Sequence, residues 1–410
     1  MARSENIICG LDVGTTKICA IIGEINADGV VDIIGVGTSP SRGLRRGVVV
    51  NIDHTVSSIK KAVNDAELMA GVHADSAYAG ISGGHIKGIN SHGVIAIKNR
   101  EITPQEVARV IDAARAVAIP LDREVIHILP QEFMVDDQEG IKEPIGMAGV
   151  RLEAKVHIIT GAVSAAQNII RCAHRSGLTV NDLILQQMAS SEAVLSPDEK
   201  ELGVALIDIG GGTTDIAVFF EGSIQHTAVI PVGGDQLTND IAVGLRTPTA
   251  EAERIKKRYG CALSSMVNKD ETITVPGVGG RQPRVLARSV LADITEPRLE
   301  EIISLVRREL DKYGLMNTIA SGIVLTGGAV AVEGMVELSE QIFDMPVRLG
   351  YPSGISGLVD VVNSPVYATG VGLVLWGARN KGLDVTMSYE SNHMFSKVFG
   401  RMKQWFAEAF

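Results

Sequence analysis

The segment Val204–Phe219 constrains the fold of this chain more than any other. It reads Val-Ala-Leu-Ile-Asp-Ile-Gly-Gly-Gly-Thr-Thr-Asp-Ile-Ala-Val-Phe, which places three glycines, two threonines and two aspartates between apolar runs. Short runs that are rich in β-branched residues and bounded by glycine predict paired strands. The middle of the segment is therefore predicted to be a tight hairpin turn.

The residues of this hairpin suit a phosphate group and its metal. Glycine permits positive φ and lets a ligand approach the backbone, and successive N–H groups in such a turn can bind an anion. Thr213 and Thr214 add hydroxyl donors, while Asp208 and Asp215 are placed to hold the waters of Mg²⁺, which keeps most of its hydration shell. The segment predicts a site for a nucleoside triphosphate tail. Taken alone, it is also compatible with a glycine-rich turn that binds nothing.

A second segment, near the N-terminus, has the same plan. Ile8–Ile22 consists of an apolar run, Asp12, a glycine, the pair Thr15 and Thr16, and a second apolar run. An internal repeat of this kind predicts two similar halves, each of which presents a hairpin to one ligand.

Composition excludes several classes of protein. The chain has 410 residues, enough for two or three domains, and its net charge of −10 argues against a general nucleic-acid binder. The four cysteines form no C-x-x-C pair, which favours reduced thiols in an intracellular protein, and the nine histidines lack metal-ligand spacing. We expect no secretory signal, because residues 1–6 are polar and lead straight into the first strand, and no membrane span, because no apolar run reaches about 18 residues.

A third glycine-rich segment, Thr326–Ala329, also follows an apolar strand. Three such segments, in this order and at domain-scale spacing, resemble the actin, Hsp70 and sugar-kinase ATPase superfamily. In that superfamily two related lobes clamp ATP and Mg²⁺ between two phosphate hairpins and an adenosine loop. The resemblance implies an α/β, actin-like ATPase fold with two related lobes, a cleft, and an α+β subdomain inserted in the first lobe.

Within that superfamily the chain resembles the FtsA family of bacterial cell-division proteins over essentially all 410 residues. The features that carry the resemblance are the Gly-Leu-Asp-Val-Gly-Thr-Thr-Lys opening, the insertion at 85–163, the second hairpin and a C-terminal helix. The implied division is 1–84, first-lobe core; 85–163, inserted interaction subdomain; 164–196, first-lobe core; 197–235, second-lobe core; 236–298, its outer subdomain; 299–364, second-lobe core; 365–379, first-lobe closing helix; 380–393, flexible linker; 394–410, amphipathic helix.

By motif, the resemblance assigns residues to each side of the nucleotide. Those of the first hairpin would contact the phosphates from one side: Gly14, Thr15, Thr16 and Lys17. Those of the second would contact them from the other: Gly210, Gly211, Gly212, Thr213 and Thr214. Asp12 and Asp208 would hold the magnesium through water. Residues expected near the ribose and adenine are Gly233, Gly234, Glu253, Lys256 and Lys257, and those expected to pack on the adenosine are Gly327, Gly328 and Ala329.

Relatives that hydrolyse ATP efficiently use a Gln or Glu in the segment that links the halves, to position the attacking water. The match here is Ile184–Met188, with Gln187 as the first candidate and Gln186 as the second. Glutamine orients water but is a poor general base, so we expect at most slow turnover. The alternative for Gln187 is an interdomain hydrogen bond, and for the charged residues of Thr249–Tyr259 it is a solvated helix face.

The C-terminal stretch 394–410 has apolar residues at helical spacing, with Lys397, Arg401 and Lys403 off the stripe. The large members of the stripe are Phe395, Val398, Phe399, Met402, Trp405, Phe406 and Phe410. A helix of this length, about 25 Å, is too short and too charged to span a bilayer, but it suits an in-plane membrane helix on anionic phospholipid. The alternative is a helix that packs back on the lobes, which the polar segment before it disfavours.

A basic region in the second half suits an acidic partner. Residues 251–288 contain eight Lys or Arg and four Asp or Glu in a chain that is acidic overall. The resemblance implies that this region, with Arg281, Arg284 and Arg298, receives the C-terminal tail of FtsZ. An ordinary solvated surface is the alternative for any single arginine.

The sequence therefore predicts an ATP-binding, actin-like adaptor on the cytoplasmic face of the bacterial inner membrane at the division site. It would polymerise head to tail, anchor the FtsZ ring through its C-terminal helix and recruit later division proteins through the inserted subdomain. The alternatives are a small-molecule kinase of the sugar or acetate type, a chaperone-like ATPase for which the chain has no peptide-binding domain, and an adaptor for pilus assembly.

Overall fold

We describe the fold from a computed structural model that covers residues 6–98 and 101–387. The predicted amphipathic helix at 394–410, with the seven residues predicted to bind membrane, lies outside the described residues.

The first lobe opens with a meander of three strands, a short two-stranded hairpin, a helix and a further strand. These elements are β1 (Ile7–Val13), β2 (Lys17–Ile25), β3 (Val31–Pro40), β4 (Leu44–Arg45), β5 (Val48–Val49), α1 (Ile52–Ala70) and β6 (Ser76–Ile81). Helix α1 begins at the cap residue Asn51, whose side chain accepts a hydrogen bond from the His54 N–H, and ends at Gly71 with φ of +67°. The helix forms because its buried positions recur at helical spacing.

The inserted subdomain follows as one helix on an antiparallel sheet with strand order β7-β10-β8-β9. Its elements are β7 (Lys87–Ala96), α2 (Pro104–Arg115), β8 (Arg123–Val135), β9 (Gln138–Ile141) and β10 (Arg151–Ala162). Helix α2 starts after Thr103, because Glu106 accepts a hydrogen bond from the Thr103 N–H at 3.1 Å and completes a capping box.

The chain next adds three elements to the first lobe, forms the second lobe and then re-enters the first lobe. First-lobe elements come first: α3 (Val163–Arg175), β11 (Thr179–Leu185) and α4 (Gln186–Val194). The second lobe contains α5 (Pro197–Leu202), β12 (Val204–Ile209), β13 (Thr214–Phe220), β14 (Ser223–Ile230), α6 (Gly234–Leu245), α7 (Thr249–Tyr259), β15 (Thr272–Val275), β16 (Arg284–Ala287), α8 (Arg288–Lys312), β17 (Ile323–Thr326), α9 (Met335–Phe343) and β18 (Val347–Leu349). The first lobe closes with β19 (Ile355–Gly357), α10 (Val359–Val362) and α11 (Ala368–Met387).

The two lobes share one strand plan. The described first-lobe sheet has the order β11-β6-β1-β2-β3-β19, and the second-lobe sheet has the order β14-β13-β12-β17-β18. In each, a three-stranded antiparallel meander is extended beside its first strand by two parallel strands. The repeat predicted from the two glycine-rich segments is confirmed.

Strand β12 is buried on both faces of its sheet. Leu206 belongs to the core that α4 and α11 cover, whereas Ile207 belongs to the core beneath α6, α8 and α9. A strand covered on both faces reads as an unbroken apolar run, which is why this segment lacks alternation in the sequence. Within the described residues, no helix combines the length and apolarity that crossing a bilayer requires.

The chain crosses between the lobes twice, between α4 and α5 and again between β18 and β19. The two crossings lie side by side, because the Ser353 N–H donates to the Ala193 carbonyl at 2.8 Å. Helices α4 and α11 pack beside them.

Three boundaries differ from the predicted ones. Helix α8 crosses the predicted boundary at 298/299 and runs through Pro297, because buried side chains continue on both sides of the proline. Helix α11 runs to Met387, so part of the segment 380–393 predicted as a linker is helical. Strand β19 pairs with β3, so the chain re-enters the first lobe before residue 365.

Helix α11 packs so closely on α4 that one of its glycines has no room for a side chain. A Cβ on Gly372 would lie 1.7 Å from the Ala189 carbonyl oxygen. Helix propensity alone would make Gly372→Ala stabilising by about 1 kcal/mol, but overpacking typically costs about 1–3 kcal/mol. We expect a lower thermal unfolding midpoint. Gly84→Ala is the control, since its Cβ would meet only Pro231 at 3.8 Å, and an unchanged or higher midpoint for Gly372→Ala would contradict this packing.

Candidate functional site

The two glycine-rich hairpins form the same turn. In the first, the Gly14 N–H donates to the Lys17 carbonyl at 3.1 Å, and in the second the Gly210 N–H donates to the Thr213 carbonyl at 2.9 Å. Each turn joins the first two strands of its lobe. The two similar sequence segments therefore also share one backbone conformation.

The two turns meet across the cleft. A Cβ on Gly211 would lie 1.7 Å from Thr16 Oγ1, and a Cβ on Gly212 would lie 2.7 Å from Thr15 Oγ1. The Thr16 hydroxyl also donates to Asp235 of the second lobe at 3.1 Å. Because the glycines lack side chains, the lobes approach until backbone amides of one turn face hydroxyl groups of the other.

Three carboxylates are buried behind these turns. Asp12 of the first lobe and Asp208 and Asp215 of the second are at most 7% exposed. Burial is the largest cause of the raised pKa of all three carboxyls. The pKa of Asp215 rises to about 7, and the negative charge of Asp208 is the second cause of that rise. Lys17 Nζ lies 3.5 Å from Asp12 and counteracts the rise in the pKa of that carboxyl.

Hydroxyl groups orient the two second-lobe carboxylates. Ser190 of α4 and Thr369 of α11 donate to the same oxygen of Asp208, at 2.7 and 3.2 Å. Asp215 accepts from Thr213 at 2.9 Å and from Ser82 of the first lobe. The carboxylates are thus held in place, and one lysine leaves most of their negative charge unbalanced.

This donor set suits a hydrated divalent cation. Mg²⁺ takes oxygen ligands and usually keeps several waters, and the aspartates supply oxygens on both walls of the cleft. In the part of the chain that the structure describes, no three acidic, histidine or cysteine side chains lie close enough together to ligate a metal directly. Asp12 and Asp208 therefore fit the predicted role of holding magnesium through water, and Asp215 fits beside them.

Gln187, the first candidate for positioning a water, faces the second-lobe sheet rather than the cleft carboxylates, which fits the alternative of an interdomain hydrogen bond. It is fully buried, and its amide points into the second-lobe sheet toward the Ile216 and Ala228 carbonyls at 3.5 and 3.4 Å. Gln186, the second candidate, donates to Asp12 at 3.2 Å. Successive residues of a helix point about 100° apart, so only one of the two can face the carboxylates.

The loop predicted to approach the ribose packs against the second hairpin. The N–H groups of Gly234 and Asp235 donate to the carbonyls of Gly210 and Gly211 at 2.9 and 2.7 Å. A Cβ on Gly233 would lie 2.6 Å from the Gly210 carbonyl oxygen. This contact explains the glycine at position 233.

The charged residues of α7 are not a solvated face throughout. Lys256 is 8% exposed, and its ammonium donates to the Gly234 carbonyl at 3.1 Å and lies 2.6 Å from Glu253. Lys257 pairs with Glu253 from the exposed side at 3.3 Å. Burial alone would raise the pKa of Glu253, but the Lys256 charge, together with the hydrogen bonds from Lys256 and Thr238, holds that pKa below its ordinary value. The structure thus places Glu253 and Lys256 directly against the glycine loop.

The third glycine-rich turn reaches the same place. Gly327 has φ of +93°, and a Cβ there would lie 2.4 Å from an Asp208 oxygen. Ala329 packs on the far side, 3.3 Å from where a Cβ of Gly234 would be, and Gly328 lies between them. The structure therefore brings all three predicted turns together.

The predicted partner-surface arginines differ in their availability. Arg281 is exposed, whereas Arg284 donates to the Leu245 carbonyl and Arg298 pairs with Asp240 and Glu301. Two of the three are thus occupied within the chain.

Sequence reasoning missed three hydroxyl residues that hold the carboxylates: Ser82, Ser190 and Thr369. Ser82 had a detectable signal, since it ends a strand and precedes two glycines. Ser190 and Thr369 sit inside helices without any distinguishing pattern.

Two lobes of one topology, with glycine turns facing each other over buried carboxylates, define an actin-like ATPase fold. The structure resembles the solved PilM–PilN type IV pilus biogenesis complex with a TM-score of 0.68 at 16% identity, over 92% of this chain and 99% of that one. It also resembles MreB5 of Spiroplasma citri bound to ADP, with a TM-score of 0.59 at 14% identity, over 93% and 99% of the two chains. At these identities the likeness shows the fold.

The sequence comparisons are more specific. Residues 205–372 match the family described as "Cell division protein FtsA", and residues 83–160 match the "SHS2 domain inserted in FTSA". The chain is 54% identical over 408 residues to cell division protein FtsA of Pseudomonas aeruginosa, covering 98% of each, and 45% identical over 386 residues to that of Escherichia coli K12, covering 92% of each. The chain belongs to the FtsA family of cell-division proteins.

The raised pKa of Asp215 predicts a pH-dependent effect of its neutral replacement. A carboxyl whose pKa rises on folding, here from 3.8 to about 7, opposes folding increasingly as the pH climbs from the lower value to the higher. Asp215→Asn should therefore raise the melting temperature of the nucleotide-free protein most at pH 8, and progressively less toward pH 4.

Thermal melts at a series of pH values measure this effect, and each kcal/mol corresponds to about 2–4 °C in a lobe-sized domain. Asp65→Asn on the exposed face of α1 is the control. A gain that does not depend on pH would refute the assignment of the charge penalty to Asp215.

Proposed function

We propose that this FtsA-family protein binds ATP with Mg²⁺ in the cleft and acts as a membrane-bound, polymerising adaptor in cell division. The observation that carries the nucleotide proposal is the convergence of three glycine-rich turns on three buried carboxylates. Backbone amides of both hairpins suit the phosphates, and the carboxylates suit the metal.

Each side of the cleft has a separate role in this proposal. Thr15, Thr16 and Lys17 with the second hairpin hold the phosphates, while Asp12, Asp208 and Asp215 hold the waters of the magnesium, which neutralises charge on the phosphates. Glu253 and Lys256 line the ribose side, and Gly327–Ala329 the adenosine side. Lys17 already lies beside Asp12. When Mg²⁺ and the polyphosphate enter together, the cation balances the charge of the aspartates and Lys17 balances part of the charge of the phosphates.

Gln186 is the residue we propose to orient a water, because its amide reaches Asp12. A glutamine does not remove the proton of that water efficiently. We expect slow turnover, and the primary role to be structural.

Asp208→Ala should weaken binding of a non-hydrolysable ATP analogue with Mg²⁺ by at least about tenfold, or ~1.4 kcal/mol. The substitution removes one of the metal-holding carboxylates and leaves the Ser190 and Thr369 hydroxyls without their acceptor. Isothermal titration calorimetry measures the affinity, with Asp112→Ala on the exposed face of α2 as the matched control. Equal affinity in the Asp208 variant would remove this residue from the magnesium site.

The membrane proposal rests on the sequence of 394–410. A single amphipathic helix binds weakly, so head-to-tail assembly through an interface that does not close on itself would supply the multivalency that stable attachment needs. Placement on the cytoplasmic face of the inner membrane at the division site follows from this anchor together with the family. The basic region around Arg281 is proposed to receive the FtsZ tail, and the inserted subdomain to bind later division proteins.

Removal of residues 394–410 should move the protein from the pellet to the supernatant when it is centrifuged with anionic phospholipid vesicles, while affinity for the ATP analogue is retained. In the full chain, Trp405→Ser with Phe406→Ser should act in the same direction, because it interrupts the apolar stripe. Gln404→Ser, off the stripe, is the matched control. Co-sedimentation of the truncated protein with vesicles would overturn the anchor.

A further inference from the structure

The inserted subdomain belongs by sequence to the first lobe but docks on the second. It leaves the first lobe after β6 and rejoins it at α3, yet its strands β7, β8 and β10 pack on β14, the edge strand of the second-lobe sheet. It therefore bridges the cleft by a route separate from the two chain crossings.

A hydrogen-bonded relay forms the centre of this docking. His157 of β10 is 1% exposed, and its Nδ1 lies 2.5 Å from Asn90 Oδ1. Because that oxygen can only accept, Nδ1 carries the hydrogen and Nε2 accepts from the Thr227 hydroxyl at 2.8 Å. The Asn90 amide then donates to the Gln225 carbonyl at 3.3 Å, so the relay begins and ends on β14.

A second group of contacts lies beside the relay. The Gln131 side chain donates to the Ile224 carbonyl at 2.9 Å, and its own backbone carbonyl accepts from Ser223 at 2.8 Å. Lys142 donates to Ser223 at 2.9 Å. Side chains of the subdomain thus satisfy backbone carbonyls on an edge strand that would otherwise be open, without adding a strand to the sheet.

The same subdomain also holds the segment that carries Gln186. His127 of β8 accepts a hydrogen bond from the Leu185 N–H at 3.1 Å. Leu185 directly precedes Gln186, whose amide reaches Asp12. One rigid sheet therefore contacts both the second lobe and the first-lobe segment that lines the cleft.

We propose that the inserted subdomain is a latch between the lobes, and that its release from β14 opens the cleft and weakens nucleotide binding. This proposal rests on the proposed function, because it concerns regulation of the same site. In this proposal the interface alternates between a state in which the hydrogen-bonded relay is formed and one in which it is broken. A ligand that binds the subdomain only when it is released would, by reciprocity, lower the affinity for nucleotide.

Two mild substitutions test the latch. Thr227→Val keeps the shape but removes the donor to His157, and Asn90→Ala removes the middle of the relay at an exposed position. Each should weaken binding of a non-hydrolysable ATP analogue with Mg²⁺ on the order of tenfold, within the usual range of such couplings. Lys155→Ala is the matched control. Lys155 lies on β10, the strand of His157, and pairs with Glu132 inside the subdomain at 2.6 Å.

A reversible cross-link tests the latch in a single protein. A Cβ on Gly88 would lie 2.5 Å from Thr227 Oγ1 and 2.6 Å from His157 Nε2. In the triple variant Gly88→Cys, Thr227→Cys, His157→Ala, the new cysteines are therefore close enough for a disulfide, which occupies the space of the imidazole. The four native cysteines are all buried. We expect weak nucleotide binding when this variant is reduced and recovery of most of the affinity when it is oxidised.

Hydrogen exchange of the two hairpins separates failure of the latch from failure of the proposed function. In the nucleotide-free protein, the amides of both glycine turns should exchange faster in the reduced triple variant than in the oxidised one. Equal amide exchange and equal nucleotide affinity in the reduced and oxidised forms would overturn the latch. If the wild-type chain bound no nucleotide, the proposed function would be overturned, and the exchange result alone would decide on the latch.

Discussion

The close approach of Gly211 and Gly212 to Thr15 and Thr16 is the constraint on which the site depends. Because no side chain separates the two turns, donors from both lobes converge on one small volume. The carboxylates behind the turns face each other only in this arrangement. Burial, and after it the charge of neighbouring carboxylates, raises the pKa of Asp208 and of Asp215, because the cleft supplies too little positive charge to stabilise their charged forms.

The hairpins were predictable because their chemistry is local. A carboxylate, glycines and threonines at fixed spacing fold into one turn whatever surrounds them, and both turns form as expected. The same holds for Gly327, whose positive φ no other residue adopts readily. Gln186 and Gln187 show the opposite case. Both lie in one buried helical turn, and which of them faces Asp12 depends on how α4 is rotated against two lobes, which no local pattern encodes.

Other features could not be predicted, because each depends on a contact between residues that are far apart in the sequence. The sequence indicated an insertion at 85–163, but His157 and Thr227 are far apart in the chain and neither lies in a recognisable motif. Ser190 and Thr369 acquire a role only when α4 and α11 meet at Asp208. Helix α8 crosses the predicted boundary at 298/299, because burial on both sides of Pro297 carries the helix through it.

The paired lobe crossings set the mechanics of the cleft. The two adjacent chain crossings, joined by the hydrogen bond from Ser353 to Ala193, form the axis about which we expect the lobes to rotate. Helices α4 and α11 lie beside that axis, and their residues Ser190 and Thr369 donate hydrogen bonds to Asp208. Thr16 and Gly211, by contrast, meet across the cleft without a helix between them. We therefore expect a rotation about the crossings to separate the two turns.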